Sequence, residues 1–595
     1  MKKQTKILSI LGSFLILSAM PLFSQEALKS FEEEYLDMLS LYGTTSRNFL
    51  AYRTLSDSIW QFKDDDTVKS QDENPDPANH PWKNNNLGKK RILWESQNPS
   101  DNFFMGGLDQ SLSLKIYGPD HYNSINTGAP FGQNDGVLWQ GRGYNTSLTG
   151  GVRLEGYGFE FTFKPQISFS QNLDYNYLID SEAFTAETFK DKAKKYGYIY
   201  GSSCDAVQRF GDSAFWDFSF GDTELRWNWH TFTVGFGFQS IWLGPSYVNP
   251  ILHSNNAAPY PKIDIGLRKT EVIIPKLNWN LGFIEGRIWT GYLTESDWFD
   301  NNPDNDHNLI HGLTMSCAPS FMPGFTISAN RTCLVKASWK NMGYVIPVYD
   351  NTYVGTYDGQ GEDQKMSFSA DWLFQKVGFE IYGEIGVDDF LPAGDSYLQR
   401  YLRWPFHATA YTVGARKAFN FKNHPDIKAE LIFEWNDSEP SQDYQMWGFY
   451  NFGFHGQITQ GYTNRGQWLG SGYGYGGNSQ YLAYRIYYPK GKTGFFIGRN
   501  NPDNSYVFGQ SVNHAAYENG AYWVSARWLA AFKANFYTGV ESYWFITPQV
   551  VLGGGLLYNM IINPEYNPVE TQPYFYRKNT VEHNFQFMLN IKVNF

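Results

Sequence analysis

The sequence predicts an all-β protein: a large transmembrane β-barrel of about 16–20 antiparallel strands behind a short N-terminal α-helical portion on the periplasmic side. Three observations carry this. The chain opens with an export signal, its apolar residues recur every second position from about residue 103 onward, and its final stretch alternates up to a terminal aromatic. Composition agrees. The 595 residues are 42% hydrophobic and only 18% charged, with 20 Trp, 41 Tyr and 46 Phe, which excludes disorder for most of the chain. Mean hydropathy is −0.45. After residue 24 no apolar run reaches the length a membrane-spanning helix needs, so a helical membrane protein is excluded.

The elements follow in chain order. Residues 1–24 are a signal peptide: three lysines and no acid, then an apolar stretch over 7–20 and a small residue, Ser24, ahead of Gln25. The formal net charge of −11 becomes more negative once they are removed, which disfavours nucleic acid as a partner. Residues 25–63 form a helical portion. Leu28, Phe31, Tyr35, Met38, Leu39 and Tyr42 lie on one helical face, Gly43 ends that helix, and Ser46 caps a second with Phe49, Tyr52, Leu55, Ile59 and Phe62 at helical spacing. Residues 64–102 are a polar linker or irregular crossing, with the Asp64-Asp65-Asp66 run and Pro75, Pro77 and Pro81.

Residues 103–595 are the barrel. Phe159, Phe161, Phe163, Pro165, Ile167 and Phe169 interleave with Glu160, Thr162, Lys164, Gln166 and Ser168, one greasy face and one wet. The same alternation in a soluble sheet would need no special ending. Residues 585–595, apolar at every odd position, resemble the C-terminal strand of bacterial outer-membrane proteins, and that resemblance implies that Phe595 is the barrel-insertion signal. Lipid then requires closure, because an open sheet edge leaves backbone groups unpaired in hydrocarbon.

Motifs for chemistry are sparse. Cys204, Cys317 and Cys333 are odd in number, and a hairpin turn at 321–324 sets Cys317 opposite Ser328, leaving Cys333 out of disulfide reach. Gly472 to Gly477 satisfies GxGxxG without a preceding strand or following helix and reads as a loop. Glu384 and Asp388 share a strand face about 13 Å apart, too far for either glycoside-hydrolysis geometry. His253 and Ser254 are adjacent, so on extended chain they face apart, and no third partner is indicated. Arg268 sits on the face opposite Ile263, Ile265 and Leu267, which aims it into the lumen, to pair with Asp264 or Glu271 or to meet an anionic polymer. No catalytic residue, metal or cofactor is expected.

The stretch 241–261 carries four prolines and reads as a functional loop or lumen constriction. Its Trp242, Gly244, Pro245, Ser254, Asn255, Asn256, Ala257, Pro259 and Pro261 resemble a motif of the Wzi-type capsule-assembly proteins of Gram-negative outer membranes. Tyr382-Gly-Glu384 and the segment 455–471, with Gly461, Tyr462, Arg465, Gly466, Leu469 and Gly470, match two further family segments in order. The resemblance implies an outer-membrane barrel, eighteen strands, and a lectin-like, non-enzymatic hold on capsular or other surface polysaccharide. Outer-membrane lipid and the barrel-assembly machinery are then its other partners. The rival is a general porin or solute channel.

Read from the residues themselves, Tyr462 and Trp468 offer flat faces for sugar rings, and His455, Asn464 and Arg465 offer donors and acceptors for hydroxyls or uronate carboxylates. Trp447, Tyr450, Tyr473 and Tyr475 add further rings, and the glycines between 461 and 477 let a polymer approach closely.

Overall fold

The computed structural model describes residues 31–54, 60–62, 80–85, 94–95, 112–179, 204–300, 302–345, 361–388, 396–441, 450–513, 516–518, 521–523, 528, 531–568 and 580–595. The export signal, most of the polar segment 64–102, and Trp447 lie outside them.

Eighteen antiparallel strands close on themselves. β1 is Ser113–Asn126, β2 Gly143–Gly156, and β3 runs in two pieces, Phe159–Phe163 and Gln166–Ser170. β4 is likewise divided, Phe215–Ser219 and Glu224–Trp229, followed by β5 Phe232–Gly237 and β6 Lys262–Ile274. Then come β7 Trp279–Thr294, β8 His307–Pro319, β9 Phe325–Lys336, β10 Glu362–Phe374, β11 Phe379–Asp388 and β12 Thr409–Phe421. β13 His424–Asp437, β14 Asn478–Tyr488, β15 Gly491–Asn501, β16 Ala534–Phe545, β17 Val550–Ile562 and β18 Val581–Asn594 complete the wall. The break in β3 falls at Pro165, which has no N–H for the ladder.

Closure is made by β18 against β1, with Phe587 opposite Ile125 and Ile591 opposite His121. Phe585, Phe587 and Leu589 point outward while Asn584, Gln586 and Lys592 are buried inside, as the alternation predicts. Phe159, Phe161 and Phe163 are exposed in the same way, and Trp227, Trp229 and Phe232 cluster at one rim as interfacial aromatics do. Short turns, such as Tyr157-Gly158 with both residues at positive φ, close one end of the barrel and long loops the other. In barrels of this kind the short turns are periplasmic, and that assigns the long loops to the cell surface.

The lumen is filled from both ends. Helix α1, Phe31–Ser40, lies inside the periplasmic half, with Glu32, Glu33 and Glu34 at its positive end and Gly43 (φ 73°) donating to Ser40 where it stops. Tyr35 stacks on Trp82 at 3.8 Å, and both rest against Tyr487 of β14. Beside α1, Asp37 meets Arg416 at 2.7 Å, and Arg416 also binds Glu380 and Glu430. Among the described residues the second predicted helix is not formed. Residues Thr45–Arg47 and Tyr52–Thr54 are extended, the latter paired with Ile241–Leu243 of the proline-rich loop. Here pairing and lumen contacts override a helical period, because the backbone amides of Leu50, Ala51 and Tyr52 donate to Glu285 on β7.

Two further expectations need correction. A β-bulge between Leu267 and Thr270 shifts the register, so Arg268 turns outward and donates to the His230 carbonyl at 2.5 Å, while Lys269 turns inward to Arg47. Asp264 pairs instead with Arg226 and Arg287. In the β8–β9 hairpin, Ser316 faces Ser328 and Cys317 faces Ile327, one residue from the expected register, and none of the three cysteines is in a disulfide.

Candidate functional site

Two surface loops fold down into the barrel and build the site. Residues 241–261 descend first. Wall carboxylates hold them through backbone amides: Glu434 accepts from Tyr247, Val248 and Asn249, and Glu384 accepts from Ile251 and the Ser246 hydroxyl. Carboxylates suit this task because each offers several lone pairs to amides that would otherwise be buried unpaired. Glu384 is thus a structural acceptor. His253 bonds Ile241 O (2.8 Å) and Tyr260 OH (2.5 Å), and burial lowers its imidazole to about 4, so it stays neutral. Ser254 donates to Gly470 O at 2.6 Å and forms no dyad with it.

The second loop, residues 450–477, packs on the first. Ile251, Leu252, Phe452, Tyr462, Leu469 and Tyr475 form a buried apolar cluster within the lumen. Above it, at the cell-surface end, opens a cavity of about 290 Å³. Six loops contribute to its lining: Phe131, Asp135, Trp139 and Gln140 from the first, Tyr175 and Gln208 from the next, then Asn256, then Gln467, Trp468 and Tyr473, then Lys533, and last Tyr566. Phe131 is set edge-on to Tyr537 (5.2 Å) and Trp139 to Phe210 (5.0 Å), so the rings are held in place. Among the described lining residues Asp135 is the single carboxylate and Lys533 the single cation. Burial pushes Asp135 up to about 7 and Lys533 down to about 8. Gln133 Nε2, Trp139 Nε1, Asn559 Oδ1 and Tyr566 OH are buried without a hydrogen-bond partner in the protein. The cavity therefore combines aromatic faces, side-chain amides and little net charge.

The family model for the capsule assembly protein Wzi matches residues 116–547. The chain belongs to the Wzi capsule-assembly family. It is accordingly an outer-membrane β-barrel, as its closed wall, lipid-facing aromatics and terminal strand require. Among solved structures it is similar to Escherichia coli Wzi, reported as an outer-membrane protein involved in group 1 capsule assembly and as a carbohydrate-binding β-barrel. That match has 12% identity over 81% of this chain and 84% of that one, with a TM-score of 0.49. Pseudomonas putida OprB matches at 11% identity over 81% and 94% of the two chains (TM-score 0.34), and Acinetobacter baumannii OccAB4 at 8% over 82% and 99% (TM-score 0.35). No curated protein sequence matches the chain.

The Wzi motif residues in this chain turn out to be scaffold. Trp242 is buried and donates to Ser246 O at 2.8 Å; Gly244 (φ 85°) turns the chain where a Cβ would lie 3.0 Å from Glu384; the Pro261 carbonyl accepts from Tyr292. Asn255 donates to Asn134 O and Asn256 to Trp468 O (3.0 Å), so the Ser254-Asn255-Asn256 run pins the loop that carries Trp468. Pro245 and Pro259 stiffen the same turns.

The expected sugar-binding residues divide. Trp468 is half-buried and lines the cavity. Tyr462 is fully buried with its hydroxyl on Thr332 (2.8 Å), and Asn464 is buried between Thr294 N and Ala258 O, so neither reaches a ligand. Arg465 is half-exposed but salt-bridged to Asp217 at 2.7 Å, outside the cavity lining. His455 accepts from the amides of Gln457 and Ile458 in a local turn. Tyr450 donates to Asp388, and Tyr475 to Ile251 O. The glycines serve the fold rather than a polymer: a Cβ on Gly474 (φ 81°) would lie 2.5 Å from the Trp468 indole nitrogen. Sequence reasoning missed Phe131, Trp139 and Gln140 of the β1–β2 loop and Lys533 of the β15–β16 loop, which share no local pattern and meet Trp468 only in the fold.

Proposed function

We propose that this protein holds a surface polysaccharide, without altering it chemically, in the cavity at the cell-surface end of its filled barrel. The observation that carries the reading is the cavity wall itself: Phe131, Trp139, Tyr175, Trp468 and Tyr473 alternating with Gln140, Gln208, Asn256 and Gln467. Aromatic faces cover the apolar C–H side of sugar rings, and amides donate and accept in pairs with vicinal hydroxyls. The volume, about 290 Å³, falls at the lower edge of small-ligand sites and suits one or two rings of a longer chain. A single lining carboxylate argues for binding rather than hydrolysis, which uses two. The buried plug beneath the cavity favours a lectin-like role over a solute channel.

The test pairs two measurements on one preparation of purified barrel: calorimetric binding of the source bacterium's surface polysaccharide, and conductance in a planar bilayer. Saturable binding with no stable conductance supports the proposal. A large steady conductance without binding overturns it in favour of a channel.

A further inference from the structure

The loop between β7 and β8, described over 295–300 and 302–306, carries an acidic cluster on the cell-surface side and away from the cavity lining. Carboxylate oxygens of Glu295, Asp300 and Asp306 all lie within 4.8 Å of one another. An acidic cluster alone is common, and what distinguishes this one is Glu295. Its residue is 7% exposed, its Oε2 is buried without any hydrogen-bond partner, and its carboxylate lies among two others. An orphaned buried carboxylate oxygen beside two like charges is costly unless something positive sits among them. A second oxygen is also unspent: Asn305 Oδ1 is buried without a partner, while its amide nitrogen is fixed between Asp300 Oδ2 (2.9 Å) and Thr459 Oγ1 (3.0 Å).

We infer that Glu295, Asp300 and Asp306 bind one Ca²⁺ that fastens the β7–β8 loop to the lumen-filling loop 450–477. The donors are all oxygen, with no imidazole or thiolate in the cluster, which selects a hard cation. Asp300, Asn302, Asp304 and Asp306 place side-chain oxygens on alternate residues, the spacing by which calcium loops supply ligands from a short stretch. Calcium tolerates the irregular geometry of a surface loop, whereas Mg²⁺ demands a near-ideal octahedron and keeps its water. The neighbourhood explains what the ion would fasten. Ser296 donates to Asp205 through both its amide and its hydroxyl, Thr294 N donates to Asn464, and Arg465 N donates to Thr294 O.

The test uses the full-length barrel in detergent, stripped with EGTA and checked for its heat-modifiable fold. Calorimetric titration with CaCl₂ should show one saturable site in the range of extracellular calcium modules, about 10⁻⁴–10⁻³ M. Tb³⁺ should give luminescence sensitised by the loop's Trp298 and be displaced by Ca²⁺. Glu295→Gln and Asp306→Asn, if folded, should each weaken binding at least about tenfold. Asp426→Asn, on the opposite rim, should bind as the parent does. If Glu295→Gln misfolds, Asp306→Asn and the Tb³⁺ signal still decide. No saturable site up to about 10 mM, equal affinity for Mg²⁺, or unchanged affinity in both folded variants would overturn the assignment.

Discussion

Glu434 stands near the cell-surface end of β13, and its carboxylate accepts from three consecutive plug amides, Tyr247, Val248 (3.0 Å) and Asn249 (2.8 Å), and from the Tyr382 hydroxyl (2.7 Å). Glu434→Ala removes the acceptor from these four buried donors and from the Asn249 side-chain amide (3.4 Å) at once. An orphaned buried donor costs about 1–3 kcal/mol, so the three amides alone lose roughly 3–9 kcal/mol, an upper bound because they share one carboxylate. The wall keeps its own ladder to β12 and β14, so the loss falls on the loop 241–261. The variant should remain a heat-modifiable barrel, while its plug becomes protease-sensitive and the membrane begins to conduct in fluctuating steps. Glu434→Gln keeps one strong acceptor oxygen and should lose only about 1–3 kcal/mol, with little conductance. A Glu434→Ala barrel as sealed and as protease-resistant as the parent would refute the view that lumen carboxylates seat the plug.

Other expectations follow from the same contacts. Phe595→Ala, or loss of the last residue, should lower outer-membrane assembly while the chain still reaches the periplasm, read by membrane fractionation and heat-modifiability. Arg416→Ala leaves Glu430 buried without its cation and Asp37 and Glu380 held by Arg47, and should destabilise the seating of α1 by about 3–5 kcal/mol, measured by proteolysis of the N-terminal segment. Removing 25–63 should leave an inserted barrel that retains less surface polysaccharide. The Asp135 carboxyl is raised from 3.8 to about 7, so its neutral form is favoured in the fold; the stability it contributes is full below about pH 4 and is lost as pH rises to 7. Affinity for an acidic glycan should therefore fall between pH 6 and 8, and Asp135→Asn should flatten that fall in a binding titration.

Much of the wall was legible because lipid enforces a strict alternation, and strands such as 159–169 and 585–593 carry it on their outer face. The lumen was harder to read. Polar inward positions show only that something wet or hydrogen-bonded lies inside, and they do not distinguish water from a plug built of loops 241–261 and 450–477. That is why Tyr462 and Asn464 read as exposed ligand groups while they in fact complete the plug. Arg268 was misplaced by a bulge with no local sequence mark. The first helix was readable from its stripe and Gly43, whereas residues 45–54 are extended because they pair with Ile241–Leu243, a partner nearly two hundred positions away. Trp468 was visible as an aromatic in a glycine-rich loop; Phe131, Trp139 and Lys533 join it only when six loops converge.

The central claim is that Trp468 and its neighbours bind glycan, and the most direct measurement is the affinity of folded Trp468→Ala for the surface polysaccharide beside that of the parent and of Tyr462→Phe. Loss of one stacking ring is worth about 1–3 kcal/mol by analogy with bases on aromatics, or roughly 5–150-fold in affinity. The account predicts that loss for Trp468→Ala, and unchanged affinity for Tyr462→Phe, whose ring stays in the plug and whose hydroxyl serves Thr332. Equal affinity in Trp468→Ala and parent, at matched amounts of heat-modifiable barrel, would contradict it.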